Sequence, residues 1–269
     1  MAALVTATPT GADLLPGPVV LVRPDRNEAD AAALGAAGFT VLVEPYLSVT
    51  TADDPAPALA LLDVLDPRRT GRDTWLALTS ARTTAHWAAL VGPHLLYAAL
   101  DAAHEGGLRV ACVGSATAAT LPDGMSPTLT ATNPDASALL DDLLAATAYP
   151  MLALLPGSAI ARPTLADGLT AAGWAVRTAA VYDTRSVLTR PASADLLANG
   201  TAAALVLRSP SAVAAVAGFV QPNPSVTIVA VGPTTTSAVR EQGWSAVTPD
   251  SPDSGAVARA LFRALTRSQ

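Results

Sequence analysis

A chain of 269 residues, half of them apolar but only 4% aromatic, must build its core from Ala, Val and Leu in helices packed on sheets, and its length suits two domains of ordinary size. Its net charge of −6 argues against nucleic acid as a partner, because phosphate binding needs a basic face. All 16 basic residues are arginine, which excludes lysine Schiff bases, a P-loop lysine and pyridoxal attachment.

Met1 to Pro18 has no basic residue ahead of its mild apolar stretch, so it does not read as a secretory signal; it reads as a floppy lead-in. Strands are expected near 19–23, 39–43, 74–78, 109–113, 151–155, 174–178, 203–207 and 226–231, with helices between them. The clearest helix spans Ser158 to Ala172, where Leu165, Leu169 and Ala172 share a face and Gly173 supplies the stop. Another starts at Asp135 and carries Leu139, Leu140, Leu143 and Leu144. The Pro-rich stretches Asp53–Pro57 and Gln221–Pro224 read as loops, and the arginine cluster at Arg68, Arg69 and Arg72 as a solvated one. No apolar run reaches the roughly 18 residues of a membrane span. Cys112 lies inside an apolar strand, where it cannot form an intramolecular disulfide and is inert, so the chain suits a reducing cytoplasm.

Alternating strand and helix argue for an α/β fold with parallel sheets flanked by helices, and the pattern is duplicated. Val19–Val43 matches Met151–Val176, Leu76–Leu90 matches Leu205–Gly218, and Arg109–Leu121 matches Thr227–Val239. Tyr46 and Tyr182 stand at matching exits, and the first half carries extra chain between Val91 and Gly107. In open α/β sheets ligands bind outside the carboxyl ends of the strands. Ser80, Gly114, Gly157, Ser209 and Gly232 stand there, each followed by amides freed at a turn or helix start and suited to anions.

Much chemistry is missing. His86, His94 and His104 have no partner at metal-ligand spacing, and neither a Gly-x-Ser-x-Gly elbow nor a dinucleotide fingerprint occurs. The set of candidate site residues is acid-poor. What remains is a site of amides, hydroxyls, a few arginines and a tyrosine, able to hold a polyanion and to offer mild proton transfer.

Taken in order, Arg23-Pro24, Thr79-Ser80, Val113-Gly-Ser-Ala-Thr-Ala118, Ala161–Trp174, Val181-Tyr-Asp-Thr184, Ser209-Pro-Ser211 and Val231-Gly-Pro-Thr-Thr235 resemble uroporphyrinogen-III synthase. The succession carries the resemblance and covers nearly the whole chain. It implies two similar flavodoxin-like domains joined by a two-stranded linker, with a cleft between them. Residues 1–44 and 188–269 would form one discontinuous domain and 51–179 the other, with crossings at 45–50 and 180–187. It also implies a cofactor-independent reaction in which hydroxymethylbilane, a linear tetrapyrrole, loses water and closes to uroporphyrinogen III with its last ring inverted. No membrane is implied, the protein would be a monomer, and it would make transient contact with the preceding pathway enzyme.

On that resemblance Tyr182 is the candidate acid for hydroxyl departure, since a phenol is protonated at neutral pH and can donate a hydrogen bond. The acetate and propionate arms would be gripped by Arg23, Thr79, Ser80, Gly114, Ser115, Thr117, Gly157, Ser158, Arg162, Ser209, Ser211, Gly232, Pro233, Thr234 and Thr235. Arg208, Thr236 and Arg82 depart from the family pattern. Arg208 and Arg82 would add carboxylate contacts or mark a relative without turnover. The alternative is a non-catalytic sensor of the same frame that binds a small anion or tetrapyrrole; a two-domain transferase would need a nucleotide site that the chain lacks.

Overall fold

The computed structural model describes residues 3–5, 17–66, 74–133 and 135–267. Along the chain lie β1 (Ala3–Val5), β2 (Val19–Leu21), α1 (Glu28–Ala36), β3 (Val41–Val43), β4 (Leu47–Thr51) and α2 (Ala56–Val64). They are followed by β5 (Thr74–Leu78), α3 (Thr83–Val91), α4 (Pro93–Glu105), β6 (Arg109–Cys112), α5 (Ser115–Ala118), β7 (Leu129–Thr130) and α6 (Ala136–Ala145). The last part holds β8 (Leu152–Ser158), α7 (Thr164–Ala171), β9 (Ala175–Ser186), α8 (Ser193–Asn199), β10 (Ala204–Leu207), α9 (Pro210–Ala217), β11 (Thr227–Ala230), α10 (Pro233–Glu241) and α11 (Ser254–Arg267). Among the described residues no helix is long and apolar enough to cross a membrane.

Contacts gather the chain into two compact units, Met1–Ser48 with Arg185–Gln269, and Val49–Thr184. In the first, the sheet runs β1-β3-β2-β10-β11, parallel except for β1, which lies antiparallel on β3. A bridge from Val229 to Val247 extends its far edge. In the second, β9-β8-β5-β6-β7 is parallel. Beside it β4 runs antiparallel to β9: the Ala52 N–H bonds to the Val181 carbonyl, and further along Val187 bonds to Tyr46. Starting from β2 in one unit and β8 in the other, both sheets have the flavodoxin strand order.

Strand alternation gives each sheet two packed faces. Val20, Leu205, Leu207 and Ile228 face one cluster, with α8 and α9 residues, while Val19, Leu21, Val206 and Val229 face α1 and α11. In the second unit Leu76, Leu78, Val110 and Leu154 meet α2, α3 and α4, and Trp75, Ala77, Ala111 and Ala153 meet α6 and α7. Trp87 seals the first of these, its indole N–H bonding to the Ala58 carbonyl at 3.1 Å. Cys112 is fully buried there, and burial pushes its thiol up to about 11.

Three expectations change, and one is made definite. The lead-in is ordered at Ala3–Val5, which supplies the edge strand β1; residues 6–16 lie outside the described residues, as does the arginine cluster at 68–72. The helix expected from Ser158 starts only at Thr164, because β8 keeps pairing with β9 through Ser158 and Pro163 then sets the helical turn. Pro57 lies in the first turn of α2 rather than in a loop. The extra chain after Val91 is the helix α4.

Tyr46 anchors the first unit just before β4. Its side chain is fully buried and its hydroxyl shares a 3.1 Å hydrogen bond with Ser193 at the start of α8. Glu44 caps the same helix, accepting from the Ala192 and Ser193 N–H groups at 3.1 and 2.7 Å. Burial raises the Tyr46 phenol to about 12, and the Glu44 carboxylate pushes in the same direction. Its proton is held more tightly folded than unfolded, so this contribution is intact below about pH 10 and is lost as pH rises towards 12. The urea midpoint should fall across that window, and the fall should shrink in Tyr46→Phe, which itself costs about 1 kcal/mol. An equal fall in both proteins would dismiss Tyr46 as its source.

Candidate active site

The flavodoxin order leaves one crevice per sheet, where neighbouring strands carry their crossover helices to opposite faces. In the second unit it lies between β8 and β5, and there the chain leaves a cavity of about 300 Å³. Thr79, Gly157, Ser158 and Arg162 all line it, so four of the residues chosen from sequence meet at one place. By strand alternation Thr79 continues the α7 face of β5, and Arg162 stands in the turn between β8 and α7. The Ser158 hydroxyl accepts from the Ile160 N–H at 3.3 Å, which shapes that turn. Exposed Arg162 brings positive charge to the mouth.

Tyr182 does not line this cavity. Between Gly157 and Ser158 the ladder slips, so that Gly157 pairs with Ala180 but Ser158 with Tyr182, leaving Val181 as an extra residue on β9. Such a bulge re-aims the side chains beyond it. Without it Tyr182 would share the face of Val176, against α7; with it Tyr182 joins Ala179 and Val181 on the α3 face. The ring is 5% exposed and lies against His86, centroids 5.2 Å apart and planes inclined by 30°. His86 shares a 3.0 Å hydrogen bond between Nδ1 and the Thr51 hydroxyl. His86 lacks metal-ligand spacing in the sequence, and nothing in the local pattern marks a contact that depends on a bulge in another strand.

Other expected residues stay apart from the cavity. Ser80 starts the turn into α3, its hydroxyl accepting from the Arg82 N–H at 3.2 Å. Beyond β6, Gly114 is extended at φ 173 and α5 is only four residues long, whereas Gly232 beyond β11 adopts φ 86 and opens the longer α10. The two repeated loops therefore differ in backbone. Ser115, Pro233 and Thr234 are exposed, but Thr117 and Thr235 are 3% and 1% exposed because their helices turn these positions inward. Thr236 bonds to the Gly232 carbonyl at 3.0 Å and to Thr248 at 2.9 Å, tying α10 to the sheet edge.

In the first unit the matching crevice lies between β2 and β10. Arg23 follows β2, its carbonyl accepting from the Asn27 amide at 3.0 Å. Ser209 caps α9 by accepting from the Ala212 N–H, and shares a 2.9 Å bond with Ser211. Arg208 takes the position that Thr79 has in the other unit. Its guanidinium grips Asp30 on α1 through two bonds of 2.6 and 2.5 Å and reaches the Pro252 carbonyl at 2.8 Å. Ser254, at the head of α11, donates to the same carboxylate at 2.6 Å. Arg208 is thus committed to an internal ion pair rather than offered as a carboxylate contact.

The molecule is a two-unit α/β protein with hydroxyl, amide and guanidinium groups lining a cavity at the switch point of one sheet, the place where open α/β sheets bind ligands. A model of the uroporphyrinogen-III synthase HemD family matches residues 28–259, and the chain belongs to that family. Two solved structures share the fold. One is a mutant uroporphyrinogen III synthase from the extremely thermophilic bacterium Thermus thermophilus, 21% identical, with a TM-score of 0.61 over 93% of this chain and 99% of that one. The other is uroporphyrinogen-III synthetase from Helicobacter pylori 26695, 15% identical, with a TM-score of 0.60 over 94% and 100%. No curated protein matches the chain in sequence.

Because the Asp30 carboxylate is 3% exposed and its partner 16%, removing one charge strands the other. Asp30→Ala should cost about 3 kcal/mol, read from the urea midpoint. Arg208→Ala added to it should cost little more. A loss below about 1 kcal/mol in Asp30→Ala would show that the pair is not a structural tie.

Proposed function

We propose that this protein is a uroporphyrinogen-III synthase that closes hydroxymethylbilane to uroporphyrinogen III and releases water, with no cofactor. The observation that carries the reading is the family match across 28–259; the cavity at Thr79, Ser158 and Arg162 supports it. Acetate and propionate carboxylates need N–H, O–H and guanidinium donors, and these are the groups lining the cavity. Ser80, Gly114, Ser115, Ser209, Ser211, Gly232, Pro233 and Thr234 would supply further amides and hydroxyls at strand ends, and Arg23 a second guanidinium. Thr117 and Thr235 would act by holding their helical turns.

In this reading Tyr182 donates its phenolic proton to the departing hydroxyl, which leaves as water and creates an electrophilic azafulvene. The last pyrrole attacks through its substituted carbon, giving a spiro intermediate that fragments and recloses. The ring proton lost on rearomatisation balances the one donated. Most of the catalysis is restraint of a flexible chain, because free closure gives the uninverted isomer. The inert, buried thiol fits a reducing cytoplasm, and the substrate would come from the enzyme that makes the bilane.

Supplied with hydroxymethylbilane, the protein should yield type III isomer at least about tenfold above the blank after oxidation and separation; type I alone would overturn the reading. Tyr182→Phe should lower kcat about 100-fold, and an unchanged kcat would remove it as the acid. Arg162→Ala should raise KM about tenfold with a smaller change in kcat. If KM stays put, the guanidinium does not hold a substrate carboxylate.

A further inference from the structure

Tyr182 reaches its face through an irregularity in the ladder; the bulge and the resumed pairing with Ser158 set the face of the side chain but not the angle of its ring. Its orientation has another source. The His86 imidazole lies under the phenol ring in a tilted, near-parallel stack, an attractive arrangement at this separation. The imidazole is itself fixed at Nδ1 by Thr51. Thr51 belongs to β4, and the next residue, Ala52, donates its N–H to the Val181 carbonyl at 3.1 Å, one position before the tyrosine. A closed circuit of contacts therefore runs from β9 to β4, from β4 to α3 through Thr51 and His86, and back to β9 through the rings.

The chemistry of the platform fits its place. Burial holds the His86 proton affinity below that of an ordinary imidazole, and the Arg82 guanidinium, at the head of the same helix, acts in the same direction. A neutral imidazole gives the phenol ring an uncharged floor to lie on. Tyr46, the repeat counterpart, is held in another way, by its own hydroxyl on Ser193. A tyrosine whose hydroxyl is spent on the protein cannot give its proton to a ligand; one held by its ring face keeps the hydroxyl for other work.

We infer that His86, pinned by Thr51, is a positioning residue that fixes the angle of the Tyr182 ring and thereby the placement of its hydroxyl. This rests on the reading of Tyr182 as the proton donor. The test is isomer-resolved steady-state kinetics on the full chain with His86→Ala, His86→Phe, Thr51→Val and Tyr182→Phe, alongside urea unfolding and proton NMR of the three histidines. His86→Ala should lower kcat for type III formation about tenfold with KM within about twofold. His86→Phe, which restores an aromatic floor, should recover most of that loss, Thr51→Val should cost about threefold, and His86→Ala should cost nothing further in the Tyr182→Phe background. The His86 ring-proton signals should shift in Tyr182→Leu while those of His94 and His104 stay.

Wild-type kcat in His86→Ala with a slow Tyr182→Phe would overturn the inference and leave the proton-donor reading standing. A fast Tyr182→Phe would sink that reading and the inference with it. Multiplying losses in the double variant would show that His86 acts without Tyr182. Should His86→Ala fail to fold, His86→Phe and the NMR comparison still decide, because unshifted His86 signals in Tyr182→Leu would mean that the rings do not meet.

Discussion

Burial of both faces of parallel strands is the constraint on which the rest of this protein depends. Every residue of β2, β5 and β10 is buried, so the side chains of these strands are spent on the core, Ala77 alone among them also flooring the cavity. Function is thereby driven to the strand ends. Amides freed from the ladder, short hydroxyl side chains and the first turns of helices collect there, and the helix-flanked sheet holds them in place. The low aromatic content follows from the same packing, since Ala, Val and Leu fill thin layers between helix and sheet with few large rings.

The duplication has diverged most where chemistry could be expected. At one switch point Thr79 leaves room for a cavity; at the other Arg208 spends its charge on Asp30 and Ser254 and locks β10 to α1 and α11. A buried ion pair adds little net stability but is costly to break, which makes it a device for fixing one arrangement of the two helices. The tyrosines diverge likewise. Tyr46 has become a structural tie through its hydroxyl, and Tyr182 is held by its ring against His86. Two copies of one pattern have thus come to hold different contacts.

A single extra residue has a large effect because side-chain direction in a strand alternates. Val181 has no counterpart on β8, and from that point β9 exchanges its faces. The slip decides whether Tyr182 looks towards α7 or towards α3, and hence which polar groups it can meet. The cavity lined by Arg162 and the Tyr182–His86 stack consequently occupy opposite faces of the same sheet end.

The positions of the main strands, their parallel pairing, the internal repeat and the turns that carry hydroxyls are all legible in the order of residues, because they depend on periodicity and on residue chemistry within a few positions. Thr79, Gly157, Ser158 and Arg162 were legible as residues of the strand ends and turns for that reason, and they line one cavity; the succession of motifs carried the family. The tertiary structure decided what depends on distant partners. That Ala3–Val5 finds an edge on β3 and that β8 runs on through Ser158 are matters of pairing between segments far apart in the chain. The commitment of Arg208 to Asp30, the inward turn of Thr117 and Thr235, and the meeting of His86 with Tyr182 follow from packing and from one bulge, for which no local pattern exists.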